Sequence, residues 1–183
     1  MKRICVFAGS KIGNNHAFTE RTKSLGQVFA NEQIGLVYGG AKSGLMGVLA
    51  DSILESGGHV TGIMPTKLFE KEIVHQKLTS FIEVETMHER KAKMSELADG
   101  FIALPGGFGT FEELFETVTW AQIGLHTKPM ALLNIENYYT PIINLIDHAI
   151  EAGFVAGSNR SLLLQSDKPE ELIGKMKPLL GEK

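Results

Sequence analysis

Short apolar runs alternate with longer amphipathic stretches along this chain, and that alternation most restricts its fold. The runs at residues 3–8, 35–38, 59–64, 81–85, 100–104 and 130–134 are mostly rich in Val, Ile, Leu or Phe and lack clean period-two alternation. Strands buried on both faces read this way, and such strands are usually parallel. Helical patterns fill the intervals, at 15–31, 44–56, 88–98, 111–123, 139–152 and 169–180. In the second, Leu45, Val48, Leu49, Ser52 and Ile53 share one face. The alternation predicts an α/β, Rossmann-like fold: a doubly wound, mainly parallel sheet with helices on both faces and right-handed crossovers. Residues 65–80 are less regular and are expected to form a connection with a short helix and a loop. No repeat, low-complexity tract or linker divides the 183 residues, so one domain over 1–183 is expected, its last three residues fraying.

Charge narrows the choice of partner. Eighteen basic and 21 acidic residues give a net charge of −3 with no long basic run, so neither nucleic acid nor a membrane surface is expected. Cys5, the only cysteine, sits in the apolar run Ile4-Cys5-Val6-Phe7-Ala8 and reads as a small buried hydrophobe. With one cysteine no intrachain disulfide forms, which fits a cytoplasmic location. Met1-Lys2-Arg3 followed by apolar residues imitates a signal peptide, but the run is too short and polar residues 11–15 follow it. The six histidines show no zinc-binding spacing, so no metal site is expected. No serine lies in a nucleophile elbow.

Chemistry is expected where strands run into glycine-rich turns: Ala8-Gly9-Ser10, Tyr38-Gly39-Gly40-Ala41-Lys42-Ser43-Gly44 and Pro105-Gly106-Gly107-Phe108-Gly109-Thr110. In an open α/β sheet, ligands bind outside the carboxyl ends of strands. Glycine lets backbone N–H groups approach an anion, and a following helix adds free N–H groups and a positive dipole end. Each turn is equally explained as a tight strand-to-helix connection without a ligand. No Walker A pattern is present, and Gly9-Ser10-Lys11-Ile12-Gly13 is not the dinucleotide fingerprint. A mononucleotide or a sugar phosphate is the better guest.

Two charged clusters stand beside these turns. Thr110-x-x-Glu113 has the spacing of a capping box, which would use the Glu113 carboxylate to accept the Thr110 N–H. The competing reading makes Glu113 a catalytic carboxylate beside a phosphate-binding turn. Glu112 and Glu116 suit the positive helix end and read as solvated surface. In Met87-His88-Glu89-Arg90-Lys91-Ala92-Lys93-Met94, Met87 and Met94 read as core contacts and Glu89 with Lys93 as an exposed i,i+4 pair. By pattern alone Arg90 and Lys91 are surface charges; the functional alternative has them binding a phosphate, base or carboxylate.

Pro105-Gly106-Gly107-x-Gly109-Thr110-x-x-Glu113, preceded by Met87-His88-x-Arg90-Lys91-x-x-Met94, resembles the motif pair of the LONELY GUY (LOG) family. These are cytokinin riboside 5′-monophosphate phosphoribohydrolases, labelled "lysine decarboxylase-like" in older usage. The resemblance covers nearly the whole chain. It takes in Cys5-Val6-Phe7-Ala8-Gly9-Ser10, Val37-Tyr38-Gly39-Gly40, Gly44-Leu45-Met46-Gly47, Thr119-Trp120-Ala121-Gln122 and Asn134-x4-Tyr139.

The resemblance implies a Rossmann-like homodimer. It implies hydrolysis of the N-glycosidic bond of an adenosine 5′-monophosphate, often N6-prenylated, to free base and ribose 5-phosphate, without a cofactor. Carried over by position, Arg90 and Glu113 would be the catalytic pair, and Gly107, Phe108, Gly109 and Thr110 would cradle the phosphate. Lys91, Glu72 and Thr119 would contact the nucleotide, with Ser10, Gly39, Gly40, Gly106, Phe111 and Glu112 around it. Glu72 lies in Glu70-Lys71-Glu72-Ile73-Val74-His75, which is only loosely like the family. Two other readings remain. One is a non-catalytic carrier of a nucleotide or phosphorylated cofactor, similar to molybdenum-cofactor carriers. The other is a pyridoxal-dependent decarboxylase, for which Lys42 and Lys91 lie near the site but no pyridoxal-lysine motif is apparent.

Overall fold

The computed structural model describes residues 1–68 and 73–181. Its strands are β1 (Arg3–Phe7), β2 (Gly35–Tyr38), β3 (Val60–Pro65), β4 (Ser80–Val84), β5 (Gly100–Ala103), β6 (Met130–Leu133) and β7 (Leu163–Ser166). They form one sheet in the order β4-β3-β2-β1-β5-β6-β7, and every neighbouring pair is parallel. The helices are α1 (His16–Asn31), α2 (Gly44–Glu55), α3 (Met87–Leu97), α4 (Phe108–Gln122), α5 (Thr140–Glu151) and α6 (Pro169–Met176). Among the described residues no helix is long and apolar enough to cross a membrane.

The near-continuous apolar character of the central strands has the expected cause: both faces are covered. Along β1, Ile4 and Val6 enter one core with Leu25 and Phe29 of α1, Leu49 and Ile53 of α2, and Leu172 and Met176 of α6. Cys5 and Phe7, alternating with them, enter the other core with Met94 of α3, Leu114 of α4 and Ile143 of α5. Each fully buried side chain of this size stabilises the fold by about 1.5–3 kcal/mol. The edge strand β4 leaves Ser80, Phe81 and Glu83 exposed.

Three boundaries differ from the sequence reading. β7 is an additional strand; its run Leu-Leu-Gln-Ser is short and half polar, and it pairs with β6 alone at the sheet's edge. The last helix ends at Met176 because Pro178 has no N–H to continue it, and a single 3₁₀ turn follows. Most consequentially, α4 begins at Phe108, with Gly107 as its N-cap and the Phe111 N–H bonded to the Gly107 carbonyl at 3.0 Å. The glycines read as a turn thus belong partly to the helix. The connection after β3 does carry a short 3₁₀ helix, Thr66–Leu68.

The order of strands sets the location of a crevice. From β1 the chain winds outward through β2, β3 and β4, then returns to the other side of β1 as β5. The loops leaving β1 and β5 therefore diverge at the carboxyl ends of adjacent strands.

Candidate active site

A cleft of about 520 Å³ opens at this switch point. Ala8, Gly9 and Ser10 after β1, Gly39 after β2, and Gly107, Phe108, Gly109 and Thr110 at the start of α4 form part of its wall. Met87, Arg90 and Met94 of α3 and Glu112 and Glu113 of α4 complete the charged and apolar sides, with Leu68 and Met46 nearby. A larger hollow, about 710 Å³, lies near the amino end of β1 around Lys2, His59 and Lys177. It is remote from the glycine-rich turns, so the 520 Å³ cleft is the candidate site.

Arg90 is the least expected feature. It is buried, only 6% exposed, although its pattern suggested a surface charge. Its Nε donates to the Ile63 carbonyl at 3.1 Å and its Nη2 to the Gly39 carbonyl at 2.9 Å. Its Nη1 faces the Met87 sulfur at 3.8 Å. Two strand ends thus solvate the cation with backbone dipoles, which a buried charge requires. No carboxylate of the described residues makes an ion pair with it.

Helix α3 presents Arg90 through its own cap. Thr86 accepts the Glu89 N–H at 3.1 Å, while the Glu89 carboxylate accepts the Glu85 N–H at 3.0 Å. The capping arrangement therefore sits at Thr86-x-x-Glu89, and Glu89 is unavailable to Lys93, which pairs with Glu96 instead. Met94 is a core residue, but Met87 is 44% exposed and faces the cleft, a correction to its reading as a core contact.

The corresponding box at Thr110-x-x-Glu113 does not form. Because α4 starts at Phe108, Thr110 is inside the first turn rather than at the cap. Glu113 lies in the second turn, half-buried against the cleft, with no hydrogen bond or ion pair to its carboxylate among the described residues. Burial raises its pKa to about 7; the Arg90 charge works against the rise and Glu112 adds to it. The N-cap Gly107 supplies no side-chain cap, and among the described residues no side chain is bonded to the first-turn N–H groups of α4, whose residues Phe108, Gly109 and Thr110 line the same cleft.

Lys91 has a different fate from its neighbour. Its Nζ donates to Glu112 at 2.6 Å and Glu116 at 2.9 Å, tying α3 to α4. Burial lowers its pKa, but the bonds to the two glutamates outweigh that and hold it above the ordinary value. Glu112 and Glu116 are thus ion-pair partners rather than merely solvated surface.

The remaining expected residues divide. Thr119 is exposed, its hydroxyl bonded to the Phe115 carbonyl at 2.7 Å, and it does not line the cleft. Phe111 and Gly40 do not line it either; Phe111 stacks on Tyr138 at 6.4 Å between ring centroids. Gly106 lines instead an adjoining hollow of about 360 Å³ with Phe18, Leu45 and Tyr138. Glu72 lies outside the described residues. Among the described residues no group of three or more His, Cys, Asp or Glu is placed to hold a metal.

The Gly106 turn is held by Tyr138, which nothing in the sequence singled out, and by Asn134 and Tyr139, which entered only through the family resemblance. Tyr138 donates its hydroxyl to the Gly106 carbonyl, and Tyr139 donates to the Leu104 carbonyl at 2.6 Å. Asn134 accepts the Tyr139 N–H at 2.7 Å, so Asn134-x4-Tyr139 is a brace for the turn.

Comparison with known proteins places these observations. A family model described as "Possible lysine decarboxylase" matches residues 46–176. The cytokinin riboside 5′-monophosphate phosphoribohydrolases LOG5 and LOG1 of Arabidopsis thaliana are each 43% identical to this chain over 175 residues. Those matches cover 96% of the chain and 77% and 82% of the two plant proteins. Among solved structures, the molybdenum cofactor carrier protein of Chlamydomonas reinhardtii superposes with a TM-score of 0.74 at 19% identity, covering 99% of both chains. The molybdenum cofactor binding protein of Rippkaea orientalis gives 0.72 at 24%, again covering 99% of both. At those identities the two structures share the fold.

Proposed function

The chain belongs to the family of cytokinin riboside 5′-monophosphate phosphoribohydrolases, and from that premise we propose that it hydrolyses the N-glycosidic bond of an adenosine 5′-monophosphate. The products are the free base and ribose 5-phosphate. The substrate class includes AMP itself and its N6-substituted forms. The carrying observation is that one helix, α4, lines the cleft with both its first turn, which no side chain caps among the described residues, and Glu113, which has no hydrogen-bond or ion-pair partner among them.

The geometry suits that chemistry step by step. The 5′-phosphate docks on the first-turn N–H groups at Gly107 to Thr110, where the helix dipole favours an anion. Glu113 is five residues beyond Phe108, a rise of roughly 7.5 Å at 1.5 Å per residue, comparable with the reach from a 5′-phosphate to the anomeric carbon. The purine lies toward the apolar wall of Met87, Met94 and Leu68. When the C1′–N9 bond breaks, its electron pair leaves with the base and positive charge builds on the sugar. The Glu113 carboxylate stabilises that charge and receives a proton from the water that adds to C1′. Arg90, fixed by two carbonyls, presents its charge to the departing purine or to the sugar. The departing base takes a proton from solvent and Glu113 returns to solvent the one it received, so one water is consumed for each base released. Phosphate binding remote from the reacting carbon supplies the positioning.

Two copies of the chain assemble in this reading. Ile123 and Leu125 at the end of α4, Leu145 on α5 and Phe154 beyond it are 60% or more exposed, and α4 and α5 both pack on the Cys5 and Phe7 side of the sheet, apolar surface that a second copy would cover. Sedimentation at micromolar concentration is expected to give twice the chain mass.

The test of function is product analysis. Purified protein is incubated with AMP, N6-isopentenyl-AMP, GMP, CMP and adenosine, and free base is separated by chromatography. Base is expected from the adenine monophosphates and not from adenosine. Tight nucleotide binding without product would favour a carrier instead.

A further inference from the structure

We infer that Asp51 and His75, which lie outside the cleft, are a positioning pair for the reaction: they fix the turn whose carbonyl holds Arg90. The inference rests on the hydrolase reading only for its kinetic readout.

The contacts form a chain from α2 to the cleft. His75 is buried, its side chain 1% exposed, and its Nε2 lies 3.0 Å from an Asp51 carboxylate oxygen on α2, which is 46% exposed. Its Nδ1 receives the backbone N–H of Lys77 at 3.2 Å. A backbone N–H can only donate, so Nδ1 is the accepting nitrogen and the ring proton sits on Nε2, directed at Asp51. The imidazole is thereby oriented at both ends.

The backbone around His75 is then clipped to the turn after β2. The His75 N–H donates to the Gly40 carbonyl at 2.9 Å, and the Lys42 N–H donates to the Ile73 carbonyl at 2.9 Å. Between them Ala41 and Val74 form an antiparallel bridge. One residue before Gly40, the Gly39 carbonyl accepts Arg90 Nη2. The fit at that point is close, since a Cβ built on Gly39 would stand 1.9 Å from the same nitrogen. A small shift of residues 39–42 therefore moves the guanidinium. In sequence, residues 69–72 join Leu68, which lines the cleft, to this clipped segment.

A purely architectural pair would support folding and leave the folded enzyme's turnover alone. A positioning pair would change turnover in folded protein and change the environment of Arg90 itself. The chain has four arginines, Arg3, Arg21, Arg90 and Arg160, so the Arg90 Nε–H resonance is assignable by its loss in Arg90→Lys.

The experiment compares His75→Ala, His75→Gln and Asp51→Ala with the wild-type chain. Kinetics with AMP, thermal melting and the Arg Nε–H spectrum are recorded on each. For His75→Ala and Asp51→Ala, kcat is expected to fall about 10- to 100-fold, as misplacement by an ångström can produce. KM should change little, and the Arg90 Nε–H signal should move or exchange faster. His75→Gln keeps an N–H donor toward Asp51 and is expected to recover most of the kcat. The double Ala variant should lose no more than either single one. If His75→Ala is insoluble, Asp51→Ala, altered at an exposed carboxylate, carries the same expectation. Wild-type kcat and an unmoved Arg90 signal in folded Asp51→Ala overturns the inference. Absence of product from the wild type would instead remove the hydrolase reading, and the Arg90 signal would still decide the positioning.

Discussion

Of the three glycine-rich turns that border the cleft, those after β2 and β5 are alike in sequence and opposite in cause. At Gly39, an added Cβ would stand 1.9 Å from Arg90 Nη2 and 3.0 Å from its Cζ, so any other residue would have to push the guanidinium aside. At Gly107 and Gly109, an added Cβ would meet nothing within 4 Å. Neither of these last two has a positive φ that glycine alone tolerates. Glycine in the middle of a helix or strand costs stability relative to alanine, and nothing in the chain itself requires it in the first turn of α4. The first turn encloses the Arg90 guanidinium; the second leaves its backbone bare toward the cleft, where the proposed function seats a ligand. A phosphate seated on those N–H groups supplies the missing reason.

That contrast is sharpest at the two charged residues the turns serve. Glu113→Gln is expected to have the largest effect, lowering kcat by about 10³-fold with AMP, as loss of one preorganised electrostatic group can do. The variant keeps shape and volume, so its melting temperature at neutral pH should not fall. A Glu113→Gln enzyme with near-normal turnover would detach the helix N-terminus from the chemistry. Gly39→Ala should come next. Overpacking against Arg90 costs about 1–3 kcal/mol of stability, and kcat should fall by about 10²-fold as the guanidinium is displaced. Denaturant unfolding and steady-state kinetics on the same preparation measure both.

The pH dependence of stability isolates Glu113 without any substrate. Its pKa in the folded protein is about 7, raised from 4.5 chiefly by burial. The folded state thus binds more protons than the unfolded state between those values, so stability falls as pH rises through that window. The loss is on the order of 3 kcal/mol. Unfolding free energies measured from pH 4.5 to 8 should show a decline in the wild type that is smaller in Glu113→Gln. In the active enzyme, kcat/KM should rise with pH through about 7 as the carboxylate ionises. Equal pH slopes in both proteins would mean that Glu113 is solvated like its neighbours.

Much of this was legible in the chain because it is local. Runs of residues buried on both faces mark parallel strands, and Cys5 among Ile4, Val6 and Phe7 reads as core from its neighbours alone. What stayed hidden is what other segments decide. Arg90 looks like a surface charge in its helix because its acceptors, Ile63 and Gly39, come from two other strands. Two Thr-x-x-Glu boxes compete in the sequence, and only the one at Thr86 forms. The other fails because α4 begins three residues earlier than its apolar pattern suggests, on a glycine cap. That early start frees Glu113. Asp51 and His75 meet across 24 positions with no motif to join them.

The smallest expected effect separates the turns most cleanly. Gly109 is exposed in the first turn of α4 with open space where a side chain would go. Alanine there removes conformational freedom from the unfolded chain and improves helix propensity, so the fold should be unchanged or more stable by about 0.4–1 kcal/mol. The same methyl group would project from the cleft wall that the proposed phosphate must approach. KM for AMP should therefore rise about tenfold, roughly one lost charge-assisted hydrogen bond, while kcat changes little. A protein that becomes more stable and binds its nucleotide less well is the behaviour of a glycine kept for a ligand. If Gly109→Ala instead lowers stability with KM unchanged, the bare turn serves the fold after all, as its counterpart at Gly39 does.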